Sequence, residues 1–271
     1  MADADVERAI AALAGGRRPI YWERLSSPKV AALVEAGMKL ALLPVGAIEQ
    51  HGPHLPLNTD SSIAEAVAAL ASAQTGVPVL PTISYASSIG HTSYWPGTLS
   101  LYPETLILTC KEIGRWLVDS AFTRLIFVNA HFGNDASLRV AVDRLRTDFL
   151  GRLSVATRNT WELCPEAKAF YLADGEDIHA NRAETSLMLA IAPESVGDYR
   201  RADDPDRTDG LVFSYPVALT SLNGVTGRPS EANADEGRRM LRTMGDALAG
   251  LVGRALAEAP PIDPKRTREH G

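Results

Sequence analysis

Short apolar runs alternate with segments of helical period along the first part of the chain, and this alternation constrains the fold more than any other feature. The runs have the length and composition of buried parallel strands and span residues 39–45, 77–85, 124–130 and 153–159. The segments between them carry apolar residues at i, i+3, i+4 and i+7 and span residues 61–74, 103–122 and 135–150. Later helices are predicted at 181–192 and 231–259. The pattern predicts an α/β fold of layered architecture with a mostly parallel central sheet.

Length and charge narrow the class of protein. The chain has 271 residues, within reach of a single α/β unit, so we expect one domain over residues 1–260 and a flexible, charged, Pro-rich tail over 261–271. A formal net charge of −6 does not provide the basic surface that nucleic-acid backbones require. The first residues lack a signal-peptide pattern, and the longest near-apolar stretch, residues 40–48, is too short to cross a bilayer. We therefore expect a cytoplasmic protein that binds neither nucleic acid nor membrane.

A loop rich in potential metal ligands follows the first predicted strand. In "VGAIEQHGPHLPLNTD", residues 45–60, Glu49 and His51 lie two residues apart, so in extended backbone their side chains project to the same side. Asp60 lies where the next helix begins. Its carboxylate either caps that helix, with Thr59 as the competing cap, or turns into the same cavity and bridges two cations. Because ligands bind beyond the carboxyl ends of parallel strands, the loop is well placed for a site.

Two later segments add polar residues at the same predicted sheet edge. His131, in "VNAHFGND", ends the third strand; alone, such a histidine is more often packed or solvated than a ligand. Here the adjacent strand end offers Glu49, His51 and Asp60, and this favours His131 as a metal ligand. In "DGEDIHANRAETSLML", His179 is placed as a general acid or base because its ordinary pKa lies near working pH. Glu184 either completes a capping box with Asn181 or closes the metal site.

The ligand types indicate the kind of metal and the kind of reaction. Two imidazoles with two or three carboxylates, and no thiolate, suit Zn²⁺, Mn²⁺ or Fe²⁺. A bridging carboxylate favours a pair of divalent ions, which would activate a shared water and polarise a carbonyl. The chemistry implied by this set is hydrolysis.

Four segments of the chain together resemble the creatininase family, which includes creatinine amidohydrolases and relatives that act on other amides and formamides. The segments are "LPVGAIEQHGPHLPLNTD" (43–60), "PGTLSL" (96–101), "NAHFGN" (129–134) and "HANRAETS" (179–186). The resemblance implies a three-layer α/β/α fold, often assembled as a homohexamer, with two divalent metal ions per chain at the carboxyl edge of the sheet.

The resemblance also implies roles for individual residues. Glu49, Asp60 and His131 match ligands of one ion. His51 and the bridging Asp60 match ligands of the other ion, and His179 matches the catalytic histidine of the family.

Two positions differ from creatinine amidohydrolases themselves. Those enzymes carry a liganding glutamate two residues after the histidine of the third-strand motif, where this chain has Gly133. Many relatives also have glycine there, and in them the glutamate that matches Glu184 serves instead. Creatinine amidohydrolases further have a glutamate immediately before the catalytic histidine, where this chain has Ile178. The resemblance therefore does not imply creatinine as the substrate.

Two other histidines have less specific expectations. His54 follows His51 by three residues, and we expect it to brace the loop by hydrogen bonding. His91 lies in a loop with Tyr94 and Trp95. That loop either lines a substrate pocket or is anchored by buried aromatic side chains.

The sequence thus predicts a binuclear metal-dependent amidohydrolase that cleaves a non-peptide or cyclic amide C–N bond of a small molecule. A metal-activated water would attack the carbonyl, and His179 would pass a proton to the leaving nitrogen. Two alternatives stay open. The protein could hydrolyse a carbon–carbon or lactone-type bond in a sugar- or polyol-derived compound, since the same water attacks any electrophilic carbonyl. It could also be a non-catalytic, metal-stabilised binding protein that has kept the scaffold.

Overall fold

A five-stranded, fully parallel sheet forms the centre of the computed structural model, which describes residues 4–92 and 94–262. The strands are β1 (Ile20–Tyr21), β2 (Leu40–Val45), β3 (Pro78–Val79), β4 (Arg124–Asn129) and β5 (Ser154–Asn159). Their spatial order is β1-β3-β2-β4-β5, and each neighbouring pair is parallel. The α/β class and the mostly parallel sheet predicted from the sequence are confirmed.

Helices cover both faces of this sheet. They are α1 (Ala4–Leu13), α2 (Ser27–Glu35), α3 (Thr59–Thr75), α4 (Pro103–Asp119), α5 (Asp135–Asp148), α6 (Pro165–Tyr171), α7 (Arg182–Ile191) and α8 (Ala234–Ala257). On one face α3, α7 and α8 pack against each other, and α1 and α6 join them. On the other face α4 packs against α5, and α2 contributes to the same core. The result is the three-layer α/β/α arrangement that the resemblance implied. Within the described ranges, no helix combines the length and the apolarity needed to span a bilayer.

Strand β2 shows why the apolar runs carry no alternating pattern. All six of its residues are buried. Leu40 and Leu42 face one core, whereas Leu43 and Val45 face the other. Because both faces of a parallel sheet are covered, each position must be apolar, and the strand reads as a continuous hydrophobic run.

The predicted second strand is much shorter than expected. The apolar run 77–85 contains only Pro78–Val79 as a regular strand, since Pro81 has no N–H to donate to the ladder. The segment still follows β2 through single hydrogen bonds, from Leu80 N to Leu42 O (2.8 Å) and from Ile83 N to Pro44 O (3.0 Å).

The carboxyl end of the chain differs from the prediction by a few residues. The last helix, predicted over 231–259, begins at Ala234 and ends at Ala257. Of the predicted tail, 261–271, only residues 261–262 are described, and residues 263–271 lie outside the described ranges. The extent of the single domain, 1–260, stays a prediction.

The carboxyl ends of the central strands form the platform for the site. Val45, Asn129 and Asn159 end β2, β4 and β5 and pair in register across the sheet. Directly after β2, a Cβ atom at Gly46 would lie only 2.3 Å from the backbone nitrogen of Ser61. The end of β2 therefore touches the start of α3, and glycine is needed for this close approach.

Candidate metal centre

All five predicted metal ligands lie in one buried cluster beyond the ends of β2 and β4. Their residues are at most 6% exposed. They are Glu49, His51, Asp60, His131 and Glu184. The first two lie in the loop after β2, the third in the first turn of α3, the fourth just after β4, and the last in the first turn of α7. The structure thus brings together residues that are far apart in the sequence, and their role as ligands stays a prediction.

Asp60 points into the cluster and does not cap its helix. Asn58 occupies the cap position of α3, and the competing cap residue, Thr59, donates its hydroxyl to the carbonyl of Pro56 (2.7 Å). Asp60 Oδ1 accepts from His51 Nε2 (3.2 Å), while Oδ2 lies 3.2 Å from His131 Nδ1. Of the two alternatives for Asp60, the helix cap is therefore wrong. Each oxygen of this carboxylate faces a different histidine, which is the geometry that a bridging ligand needs.

Glu49 lies between three histidines. Its Oε2 is 3.2 Å from His131 Nε2, and its Oε1 is 3.3 Å from both His179 Nδ1 and His91 Nδ1. None of these approaches has hydrogen-bond geometry. Both oxygens of Glu49, and Oδ2 of Asp60, are buried without a hydrogen-bond donor from any residue within 4–92 or 94–262. Such carboxylate oxygens are costly to bury unless a cation satisfies them, so the donor set fits divalent metal ions.

Glu184 combines a capping contact with a place in the cluster. Asn181 caps α7, because its side-chain oxygen accepts from the backbone N–H groups of Ala183 and Glu184. Glu184 Oε2 accepts from Ala180 N (2.6 Å), one residue earlier than in a capping box, and lies 3.9 Å from His51 Nε2. The two interpretations of Glu184 are therefore compatible.

Among the residues that the structure describes, three overlapping groups of side chains offer ligand atoms within 4.8 Å of one another. They are Glu49–Asp60–His131, His51–His179–Glu184 and Glu49–His91–His179. The first group is the ligand set predicted for one ion. The second contains the two remaining predicted ligands together with the catalytic candidate His179.

The cluster keeps two histidines charged when no metal is bound. Burial alone would lower the pKa of His51, but Asp60 outweighs it and raises this pKa to about 10. Burial would also lower the pKa of His131, but Glu49 and Asp60 outweigh it and raise this pKa to about 9. The same two imidazolium groups overcome the burial of Asp60 and hold its pKa well below the usual range. Protons on His51 and His131 thus provide the positive charge that metal ions would replace.

The other two carboxyls have raised pKa values. Burial raises the pKa of Glu184 to about 7, although His51 opposes the shift. Burial also raises the pKa of Glu49, against the effect of His131. Both groups hold protons more tightly than exposed glutamates do, because the buried charged form is poorly solvated.

The other three histidines of the described ranges, His54, His91 and His179, have lowered pKa values. Burial lowers the pKa of His179 well below its usual value, and it lowers those of His91 and His54 to about 3 and about 4. His54 Nε2 lies 2.9 Å from the hydroxyl of Thr185 on α7, as expected for a residue that braces the loop.

A cavity of about 370 Å³ opens over the cluster. His91 lines it together with Glu49, His131 and His179, whereas Tyr94 is not in its wall and is 66% exposed. The alternative of a loop anchored by buried aromatic side chains is therefore wrong for Tyr94. Sequence reasoning missed four other residues of the cavity wall, which carry no recognisable motif: Tyr215, Pro216, Val217 and Thr220. It also missed Ser88, whose hydroxyl lies 3.2 Å from His131 Nε2, and Gln50, which the position between Glu49 and His51 could have indicated.

The packing around Gly133 explains the absence of a ligand at this position. A Cβ atom there would lie 2.6 Å from His131 Nε2 and 2.7 Å from the carbonyl oxygen of Ser87. No side chain fits without displacing the His131 ring. In this chain, Glu184 Oε2 lies 3.9 Å from His51 Nε2.

Comparisons with known proteins show which family this chain resembles. The family model "Creatininase: Creatinine amidohydrolase" matches residues 23–252. The mycofactocin precursor peptide peptidase of Mycobacterium ulcerans is 38% identical over 226 residues, which cover 79% of this chain and 84% of that protein. The creatinine amidohydrolase of Pseudomonas putida is 28% identical over 260 residues, which cover 90% and 99%.

Solved structures of creatininases superimpose on the fold. A mutant creatininase of Zn-Zn type aligns with a TM-score of 0.76 at 28% identity, covering 89% of this chain and 99% of that one. A structure titled "Creatininase Mn" aligns with a TM-score of 0.76 at 26% identity, covering 89% and 100%.

Proposed function

The chain belongs to the creatininase family, and on that premise we propose that it is a binuclear, metal-dependent hydrolase that cleaves an amide C–N bond with water. The observation that carries the proposal is the pair of buried carboxylates, Glu49 and Asp60, whose oxygens lack hydrogen-bond donors in the described part of the chain. Histidines flank both of them.

The donor set divides naturally between two ions. Glu49, Asp60 and His131 would hold one ion, and the ligand atoms of these residues lie within 4.8 Å of one another. His51 and Glu184 would hold the other, with Asp60 bridging because its two oxygens face different histidines. Nitrogen and oxygen donors of this kind suit Zn²⁺, Mn²⁺ or Fe²⁺. The Zn-Zn and Mn creatininase structures support the first two.

Two divalent ions held there would supply Lewis acidity, which lowers the pKa of a water and polarises the carbonyl of the substrate. The chain itself supplies burial, which keeps bulk water from the reacting groups. His179 lines the cavity and is 6% exposed. Two actions are open to its ring: it passes a proton to the leaving nitrogen, as expected from the sequence, or it donates a hydrogen bond to the carbonyl oxygen.

For the substrate we propose a peptide amide first. The relative at 38% identity is named a peptide peptidase, and it is more similar to this chain than the creatinine amidohydrolase is. Phe132 and Tyr215 line the cavity and are 65% and 49% exposed, so a peptide chain has exposed side chains to contact beyond the cleaved bond. A non-peptide or cyclic amide is the second candidate, supported by the match to almost the whole length of the creatinine amidohydrolase.

The test is a substrate panel on protein stripped of metal and then reconstituted with Zn²⁺ or Mn²⁺. Peptides, cyclic amides and lactones are offered separately, and products are identified by mass spectrometry. We expect amide cleavage that chelation abolishes, and a 10²- to 10⁴-fold loss of kcat in His179→Asn at unchanged metal content. Amide turnover that survives complete metal removal would contradict the proposal. Cleavage of lactones alone, or two bound metals without any turnover, would favour the alternative functions.

We also propose that the chain assembles as the homohexamer that the family resemblance implies. An apolar loop supports assembly, since Val212, Phe213 and Leu222 are 73–89% exposed and large apolar patches mark interaction surfaces. Sedimentation velocity should give a hexamer, and Phe213→Ser should shift it to smaller species. A monomer at micromolar concentration would contradict this assignment.

A further inference from the structure

A buried carboxylate holds a segment that forms part of the cavity wall. This wall segment, residues 215–222, contributes four residues to the cavity lining. Asp204 is 4% exposed and is not among the lining residues. Its Oδ2 accepts hydrogen bonds from Ser221 Oγ (2.8 Å) and from Leu222 N (2.6 Å). The carboxylate therefore fixes the carboxyl end of the wall segment.

Arg207 completes this attachment with its guanidinium group. It donates to Asp204 Oδ1 (2.6 Å) and to the carbonyl oxygen of Thr220 (3.1 Å), a residue that lines the cavity. Hydrogen bonds between charged groups are about twice as strong as neutral ones. One ion pair thus holds three successive residues of the wall segment, 220–222.

The backbone of Asp204 is attached to the segment that pairs with His179. Asp204 and Gly227 exchange two backbone hydrogen bonds, of 3.1 and 2.7 Å. One residue earlier, Thr226 N donates to the carbonyl oxygen of His179 (2.8 Å). Asp204 therefore links the wall segment, through its side chain, to the neighbourhood of His179, through its backbone.

The wall segment has little apolar support of its own. Residues 211–216, which include its first part, are all exposed. Leu219 and Leu222 are 73% and 81% exposed. A segment with few buried apolar contacts opens at low cost, so its conformation depends on polar contacts such as those of Asp204 and Arg207.

We propose that Asp204, together with Arg207, is a positioning residue for substrate binding, which holds the wall segment where it contacts the substrate. The inference rests on the proposed function, because it concerns the affinity for that amide substrate. None of the five predicted metal ligands lies between residues 204 and 222. A wall contacts the substrate before and during the reaction, so its release raises KM more than it lowers kcat.

Two variants release the wall segment, and an exposed pair provides the controls. In Asp204→Asn the amide NH₂ faces a donor in either orientation, Arg207 on one side or the Leu222 N–H on the other. Arg207→Met removes the guanidinium from a side chain that is 39% exposed. Asp198 and Arg201 form a pair with the same spacing, and their side chains are 63% and 88% exposed. Asp198→Asn and Arg201→Met should behave as wild type, and Arg207→Lys should recover part of the affinity that Arg207→Met loses.

Two hydroxamates, which chelate metal ions, separate the wall segment from the metal centre. Acetohydroxamate is small, whereas the hydroxamate of N-acetyl-phenylalanine carries an apolar side chain that can contact the wall segment. In zinc-loaded Asp204→Asn, calorimetry should show about tenfold weaker binding of the larger compound, because its binding must then order the wall segment. Affinity for acetohydroxamate and metal content should stay within about twofold of wild type. On the amide substrate, KM should rise about tenfold while kcat changes less than about threefold.

Hydrogen exchange measures the attachment without any ligand. Leu222 N–H bonds to Asp204 Oδ2, and Gly224 N–H bonds to Ser221 Oγ. Exchange in residues 215–225 should therefore be at least about tenfold faster in Asp204→Asn, while residues 45–60 exchange as in wild type.

The results that would overturn the inference are distinct from those that concern the proposed function. Unchanged affinity for the larger hydroxamate, once exchange shows that the wall segment is released, would refute the role in binding. Unchanged exchange would refute the attachment, and an equal loss of both hydroxamates and of metal would show that Asp204 supports the whole centre instead. Arg207→Met gives the same comparison if Asp204→Asn does not fold. A wild-type protein that binds neither hydroxamate and cleaves no amide would refute the proposed function itself, and this role with it.

Discussion

Loading metal into the stripped protein should release protons in a number that the structure specifies. Two ions at the cluster would displace the hydrogens on His51 and His131, since a liganding imidazole must be neutral, and the hydrogen on Glu184 where it is present. Any hydrogen on Glu49, whose pKa burial also raises, would add to this number, so these three groups give the minimum. The pKa values of these groups in the metal-free protein are about 10, about 9 and about 7. The number of protons released therefore depends on how many of these groups are protonated before the metal is added.

The count follows from these three values. At pH 6 all three groups are largely protonated, and roughly three protons should leave per chain; at pH 8 the two histidines remain charged and roughly two should leave. Groups with ordinary pKa values of 6.5 and 4.5 would release roughly one and a half protons at pH 6 and almost none at pH 8. The two cases differ most at pH 8.

Isothermal titration calorimetry measures the number directly. Zn²⁺ or Mn²⁺ is titrated into metal-free protein in several buffers of different ionisation enthalpy, and the slope of the observed enthalpy against the buffer enthalpy gives the protons released. His54→Asn is the control, because His54 is buried outside the cluster with a pKa of about 4 and should contribute nothing. A water that ionises on binding adds at most one proton. Release of one proton or fewer at pH 8 would refute the charge assignment of the cluster.

Three further outcomes are expected. Glu184→Gln should reduce bound metal from two ions per chain towards one, as measured by elemental analysis; two full sites with retained activity would leave Glu184 only its contact with the helix start. Gly133→Ala should weaken metal binding at least tenfold in calorimetry, because the new methyl group would lie 2.6 Å from His131 Nε2; unchanged affinity would show that the ring has room to move. In the metal-free protein, the raised pKa of His51 stabilises the folded state. This stabilisation is fully present below pH 6.5, the ordinary pKa, and is lost as the pH rises through about 10, the pKa in the folded protein. The free energy of unfolding of the metal-free protein, measured in urea, should therefore fall by several kcal/mol between pH 7 and pH 10. A free energy of unfolding that does not change over this range would contradict the prediction.

The central part of the fold could be predicted from the sequence because burial there leaves a simple pattern. The runs 39–45 and 153–159 match β2 and β5 to within a residue, since a strand covered on both faces must be apolar throughout. The run 77–85 failed because Pro81 cannot join a ladder, and hydrophobicity alone does not show this. Strand β1 has only two residues, too few to give any period.

The candidate site was predictable only where its residues follow strand ends. Glu49 and His51 lie together after an obvious strand, and their environment follows from the rule that ligands gather at the carboxyl edge of a parallel sheet. The direction of the Asp60 carboxylate could not be predicted, because helix starts also favour aspartate as a cap. Gln50 contacts His179 from 129 positions away, and nothing local in the sequence indicates such a pair.

The close approach of Gly46 to Ser61 fixes both ends of the segment that carries Glu49, His51 and Asp60, so its geometry is tied to the sheet and the helix. Tyr215, Pro216, Val217 and Thr220 also line the cavity, and this part of the chain carries none of the predicted metal ligands. Substitutions at these wall residues therefore change the cavity without replacing a ligand. A library that varies only the wall should yield proteins with altered substrate preference and an unchanged metal complement, which makes this scaffold a suitable starting point for engineering new hydrolases.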